Sequence, residues 1–156
     1  MTLHITQPVL EKLTRHAIRE FPNECCGVLI GRRSGIDAIV RRAVPAHNIA
    51  EGNRRNSYQV DWKILFAALR STRLGPDEII GFYHSHPDGS ITPSQRDREL
   101  VWTGCSYVII SLTGGGCSAV TSWRVPHTGA SFQQELVLLA RSALTPAILH
   151  QHDVNS

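Results

Sequence analysis

The chain has 156 residues, 42% hydrophobic and 19% charged, which suits one domain with a sizeable core. Its formal charge is +3 and its pI about 8.9. The arginines are scattered in pairs (Arg32-Arg33, Arg41-Arg42, Arg54-Arg55) and never interleaved with aromatics, so nucleic-acid binding is not expected. No stretch approaches the ~20 apolar residues that span a bilayer, and the first residues lack the apolar run of a signal peptide. The four cysteines, Cys25, Cys26, Cys105 and Cys117, form no CxxC pair. A cytoplasmic protein with free thiols and no membrane partner is the expectation.

Residues 6–20 read as a helix, with Val9, Leu10, Leu13, Ala17 and Ile18 near helical period and Thr6 and Pro8 at its start. The run CCGVLIG, residues 25–31, reads as a buried strand. A turn at residues 32–35 leads to a second strand, 36–44, and then to a polar loop, 45–57. A short strand at 58–60 precedes a helix from Asp61 to about Arg73, with Trp62, Leu65, Phe66 and Leu69 on its inner face. Residues 78–84 (EIIGFYH) read as a central strand and 87–93 as a loop. Ser94 to about Trp102 reads as a short helix opened by a Ser-x-x-Asp box, with Trp102 in the core. Strands at 106–112 and 117–125 are joined by Thr113-Gly114-Gly115-Gly116, a hairpin signal. Residues 132–139 read as a strand or a helix. The pattern is α/β of the α+β type, with helices packed on a mostly antiparallel mixed sheet. One domain over residues 1–140 is expected, followed by a partly helical or disordered tail, 141–156.

The stretch GFYHSHPDGSITPSQRD, residues 81–97, concentrates the chemistry. His84 and His86 lie two apart at a strand end, so their rings point to one side. Ser94 and Asp97 lie three apart at a helix start and share a face. With glycine and proline between the two pairs, two imidazoles and a carboxylate can converge. Three protein ligands leave a fourth position open, the pattern of a catalytic zinc site. Hydrolysis there also needs a general base. Glu24, at the mouth of the CCGVLIG strand, is the candidate among seven glutamates.

Taken together, Glu24, His84-Ser85-His86-Pro87, seven residues, Ser94, two residues and Asp97 resemble the JAMM (MPN+) metalloprotease family, position for position. PNECCGVLIG, GFYHSHP and SYVIISL are similar to segments of its small prokaryotic members, and the resemblance covers residues 5–137. It implies a single MPN-like, cytidine-deaminase-like domain. It also implies one zinc ion held by His84, His86 and Asp97, proton transfer by Glu24, and an oxyanion hydrogen bond from Ser94. Members of that branch cut amide bonds after the Gly-Gly end of ubiquitin-like sulfur-carrier proteins. The resemblance therefore implies release of an amino acid such as cysteine or of a short extension. Release of the carrier from lysine by an isopeptidase is the alternative, and a homodimer is left open.

Against these stands a non-catalytic scaffold, which the complete residue set disfavours. A zinc deaminase needs His-x-Glu and a later Pro-Cys-x-x-Cys, which this chain lacks. Cys25 and Cys26 read as small core residues rather than nucleophiles. Cys105 carries no ligand signal. His47 and Asn48 lie where a loop can border the substrate channel.

Overall fold

The computed structural model describes residues 1–99 and 101–140. Its elements are β1 (Thr2–Thr6), α1 (Gln7–Glu20), β2 (Cys26–Ser34), β3 (Asp37–Ala46) and α2 (Trp62–Thr72). There follow β4 (Glu78–His86), a 3₁₀ turn at Arg96–Arg98, β5 (Ser106–Thr113), β6 (Gly116–Arg124) and β7 (Gln133–Ala140). The fold is mixed α and β, as expected, but the sheet differs from the expected one. Its strands run in the order β1-β3-β2-β4-β5-β6-β7 and close into a barrel. Three ladders are parallel, β1–β3, β1–β7 and β4–β5; the other four are antiparallel.

The closing element is β1, a strand absent from the sequence expectation. It carries only two apolar residues, Leu3 and Ile5, at strand period, and both are buried. Such a short strand has little local signature, because its partners lie far along the chain. Residues 132–139, open between strand and helix, form β7 because β1 and β6 flank them.

The core lies on both faces of the sheet. Val9, Leu13 and Ala17 of α1 pack with Leu29, Val40, Ile80, Val108 and Ile110. Pro8 sits in the first turn of α1, where no N–H is required. On the other face, Val28, Ile30, Phe82 and Tyr107 meet Ile64, Leu65 and Ala68 of α2. Asp61 caps α2 by accepting from Lys63 N–H at 2.9 Å. The inner face of α2 differs from the expected one: Trp62, Phe66 and Leu69 are exposed. Trp62 and Phe66 instead meet edge-on outside the core at 5.9 Å. Trp102 is also exposed rather than core, and stands edge-on to Phe82 at 5.4 Å. The helix expected at 94–102 reduces to the single 3₁₀ turn. The expected tail, residues 141–156, lies outside the described residues. Among those described, no helix is long and apolar enough to cross a membrane.

Two positions test this packing. At Gly81, paired with Ser106 across β4–β5, a Cβ would overlap the Ser106 backbone. Gly81→Ala is expected to cost at least about 1–3 kcal/mol, read as a lower urea midpoint. Buried His16 places Nδ1 2.8 Å from the Tyr83 hydroxyl, and burial pushes its pKa below the usual 6.5. The fold therefore favours neutral His16, and its contribution is lost as pH falls below about 6.5. His16→Gln is expected to narrow the gap between urea midpoints at pH 7 and pH 5.

Candidate metal centre

The site is assembled by strand register. In the β2–β4 ladder Cys26 pairs with His84, and in the parallel β4–β5 ladder His86 pairs with Ser111. Just beyond the ladder, Ser85 and Cys25 exchange two hydrogen bonds. Cys25 N–H donates to Ser85 Oγ at 2.8 Å, and Ser85 N–H donates to the Cys25 carbonyl at 3.1 Å. Ser85, the residue between the histidines, thus fastens the strand end that carries Glu24.

After β4 the chain turns back at Gly89, whose φ of +81° suits glycine. Asp88 accepts from Ser90 N–H at 3.0 Å within this turn. The Ser90 carbonyl accepts twice, from Ser111 Oγ at 2.7 Å and from His86 Nδ1 at 3.1 Å. A carbonyl only accepts, so the proton of neutral His86 lies on Nδ1. Its Nε2 keeps a lone pair facing the site.

The Ser94–Asp97 box forms as the sequence suggests. Ser94 N–H donates to Asp97 Oδ2 at 2.6 Å, and Asp97 N–H donates to Ser94 Oγ at 3.2 Å. The same carboxylate faces both histidines: Oδ1 lies 3.3 Å from His84 Nε2, and Oδ2 lies 3.3 Å from His86 Nε2. The two Nε2 atoms are 3.0 Å apart. All three side chains are buried, and their ligand atoms lie within 4.8 Å of one another.

These distances fit a metal. Tetrahedral zinc with bonds of about 2.0–2.1 Å spaces its ligand atoms about 3.3 Å apart. Two unprotonated imidazole nitrogens at 3.0 Å repel unless a proton or cation lies between them, and the nitrogen and oxygen donor set suits zinc. Burial works to raise the pKa of Asp97, but the facing imidazoles of His84 and His86 outweigh it and hold the carboxyl well below the usual range. Burial lowers the pKa of His84 against the pull of Asp97, which favours its neutral form.

Glu24 is buried, and burial raises its pKa to about 8. The charges that act on it most are those of His86, which lowers the value, and Asp97, which raises it. Ser94 stands exposed at the rim. Cys25 and Cys26 are buried; desolvation pushes the Cys25 thiol up to about 12, and the Cys26 thiol is raised as well, so neither is a ready nucleophile. Cys105 is absent from the ligand group.

Two further residues belong to this site. Tyr58 stacks on His84, with ring centroids 4.3 Å apart and planes 19° from parallel. Asn48 uses its whole side-chain amide. Its Nδ2 donates to the carbonyls of Glu24 and Ser57, both at 3.0 Å. Its Oδ1 accepts from Ala50 N–H at 3.0 Å and Gln59 N–H at 3.1 Å. The loop that carries Asn48, which the sequence leaves open between a plain solvated loop and a channel border, is thereby tied to the strand mouth at Glu24. Neither role has a spacing signature; an Asn early in a polar loop is the only clue the sequence offers.

Two cavities adjoin the candidate site, one through Asp97 and the other through Glu24. One, about 210 Å³, is lined by Tyr58, Val60, Leu65, Phe82, Trp102 and Asp97. The other, about 380 Å³, is lined by Glu24, Arg19, Glu20, Arg54, His16 and His47 among others.

Residues 6–126 match the family described as prokaryotic homologs of the JAB domain. The chain is 35% identical to the desampylase of Haloferax volcanii over 107 residues, 68% of this chain and 75% of the relative. It is 32% identical over 115 residues to the probable TtuB-protein conjugate cleaving protease of Thermus thermophilus, covering 73% of each chain. The solution structure of a protein from Desulfitobacterium hafniense superposes with a TM-score of 0.77 at 28% identity, over 91% of this chain and 94% of that one. The chain therefore belongs to the prokaryotic homologs of the JAB domain and is a hydrolase of the JAMM type.

Proposed function

We propose that this protein is a zinc-dependent peptidase that hydrolyses the amide bond after the C-terminal Gly-Gly of a ubiquitin-like sulfur carrier. The observation that carries the reading is the convergence of His84, His86 and Asp97 next to the buried carboxyl of Glu24. The relatives named as a desampylase and a TtuB-conjugate cleaving protease support a ubiquitin-like substrate. A scaffold would have no need of a complete, buried ligand set.

His84 and His86 through Nε2, and Asp97 through its carboxylate, would hold the metal. When bound, zinc supplies Lewis acidity that brings the pKa of water down toward 7. Glu24 takes the proton from the attacking water. Its burial favours the protonated carboxyl, which then gives the proton to the departing amine. The Ser94 Oγ already accepts from Asp97 N–H, which leaves its own O–H to donate to the oxyanion that develops on the scissile carbonyl. Tyr58 holds the His84 ring against rotation through the stack. The carrier tail lies extended in the smaller, apolar cavity, beside the Ser57–Val60 segment, where it adds main-chain hydrogen bonds as a strand would.

Removing zinc with a chelator is expected to abolish cleavage of a carrier bearing one residue after Gly-Gly, and zinc addition to restore it, both read by intact mass. Glu24→Gln should lower kcat about 10²–10⁴-fold while metal analysis still finds one zinc per chain; full activity would remove Glu24 from the mechanism. Ser94→Ala should lower kcat about 10²–10³-fold, and a change confined to KM would argue against oxyanion stabilisation.

A further inference from the structure

The larger cavity has the wrong polarity for a Gly-Gly tail. It is the more polar of the two, and its walls include Glu24, Glu20, Arg19 and Arg54. Hydrolysis breaks the C–N bond, adds the oxygen of water to the acyl carbon, and passes a proton from that water through Glu24 to the departing amine. The leaving group must therefore sit on the side where Glu24 sits. With the acyl tail in the apolar cavity, that side is the polar one.

Arg54 is built into this place. Its backbone carbonyl accepts from Glu24 N–H at 2.7 Å, so the residue is joined directly to the one that handles the proton. Its Nε donates to the Ala50 carbonyl at 3.2 Å, which fixes the root of the guanidinium. Asn48 fastens the same loop to the Glu24 carbonyl. Arg19, by contrast, is already paired with Glu20 at 3.5 Å. Among the described residues Arg54 makes no ion pair, and its terminal nitrogens carry no hydrogen bond.

We propose that this cavity is a leaving-group subsite in which Arg54 binds the free α-carboxylate of the residue released after Gly-Gly. The inference rests on the peptidase reading above and names its substrate class: a carrier extended by a residue with an unblocked C-terminus. In an α-amino acid the carboxylate lies two bonds from the nitrogen that receives the proton. A guanidinium in the wall of the cavity that Glu24 also lines can then pair with it as a two-pronged fork. A lysine side chain leaving from an isopeptide bond brings only an uncharged stem to this position and leaves Arg54 without a counter-charge.

The test uses the zinc-loaded full chain and one carrier in three forms: ending Gly-Gly-Ala with a free acid, ending Gly-Gly-Ala carboxamide, and joined through Gly-Gly to a peptide lysine. The acid is expected to be cleaved roughly tenfold or more faster in kcat/KM than the carboxamide or the lysine conjugate. In Arg54→Gln the acid-to-carboxamide ratio should fall toward one, with Arg54→Lys retaining part of it. Equal rates on acid and carboxamide, or fastest cleavage of the lysine conjugate, would overturn the subsite and leave the peptidase intact. Cleavage of none of the three would overturn the peptidase reading, and a binding arm then judges the subsite separately. In that arm L-alanine, but not L-alaninamide, should shift the amide resonances of residues 49–55, and Arg54→Gln should abolish the shift. Indifference to the carboxylate or to Arg54 would sink the proposal.

Discussion

The candidate centre depends on one constraint, the antiparallel register of β2 against β4. With Cys26 opposite His84, the chain just beyond β2 runs past the histidines at the level where Ser85 can bond both the N–H and the carbonyl of Cys25. Glu24 follows from that contact by one peptide. A shift of one residue would turn His84 and His86 to the other face of the sheet and send Glu24 elsewhere. Register is strongly specified here because β2 is buried on both faces: Leu29 faces the α1 cluster, while Val28 and Ile30 face the α2 cluster. Packing therefore sets the geometry of the chemistry.

A second constraint is the cost of burying charge. Asp97, His84, His86 and Glu24 are all withdrawn from water, which is tolerable only when buried charges are paired. Asp97 meets the requirement by facing two imidazoles and one backbone N–H group, that of Ser94, across 3.3 Å or less. Glu24 meets it differently: its carboxyl favours the neutral form, as its raised pKa records. Two carboxyl groups in one site are thus driven toward opposite protonation states, the division of labour that suits one to hold a cation and the other to move a proton.

Much of this was legible in the sequence where the signal is local. The buried run of β2, the end of β4 and the β5–β6 hairpin follow from apolar runs and glycines. The histidine spacing and the Ser94–Asp97 box predict which atoms meet. What sequence reading missed depends on partners distant in the chain. β1 is a strand only because β3 and β7 receive it. The inner face of α2 is chosen by the surface offered by Val28, Phe82 and Tyr107, which admits Ile64, Leu65 and Ala68 and turns Trp62 and Phe66 outward. The capping box at Ser94 closes, yet only a 3₁₀ turn follows it. Its Asp97 carboxylate is shared with His84 and His86, so the box serves the site as much as the helix start.

Closure of the barrel matters to the site for a reason apart from stability. An open sheet would leave two edges able to breathe or pair with other chains. Here β1 joins β3 to β7, and β2, β4 and β5 each have a strand on both sides. Ser85, His84 and Ser111 are therefore held from two directions, by ladder and by side-chain bonds. The loop 47–60 has no such ladder beyond the single Asn48–Val60 bridge, and Asn48 takes its place with four hydrogen bonds. Tyr58 stacks on a metal-ligand candidate and Arg54 accepts from the backbone N–H of Glu24, both from this loop. The barrel, with the residues leading into β2, thus supplies His84, His86 and Glu24, and an amide-pinned loop supplies Tyr58 and Arg54 beside them. On the proposed reading, substrate choice rests on loop residues, which can change without disturbing the sheet.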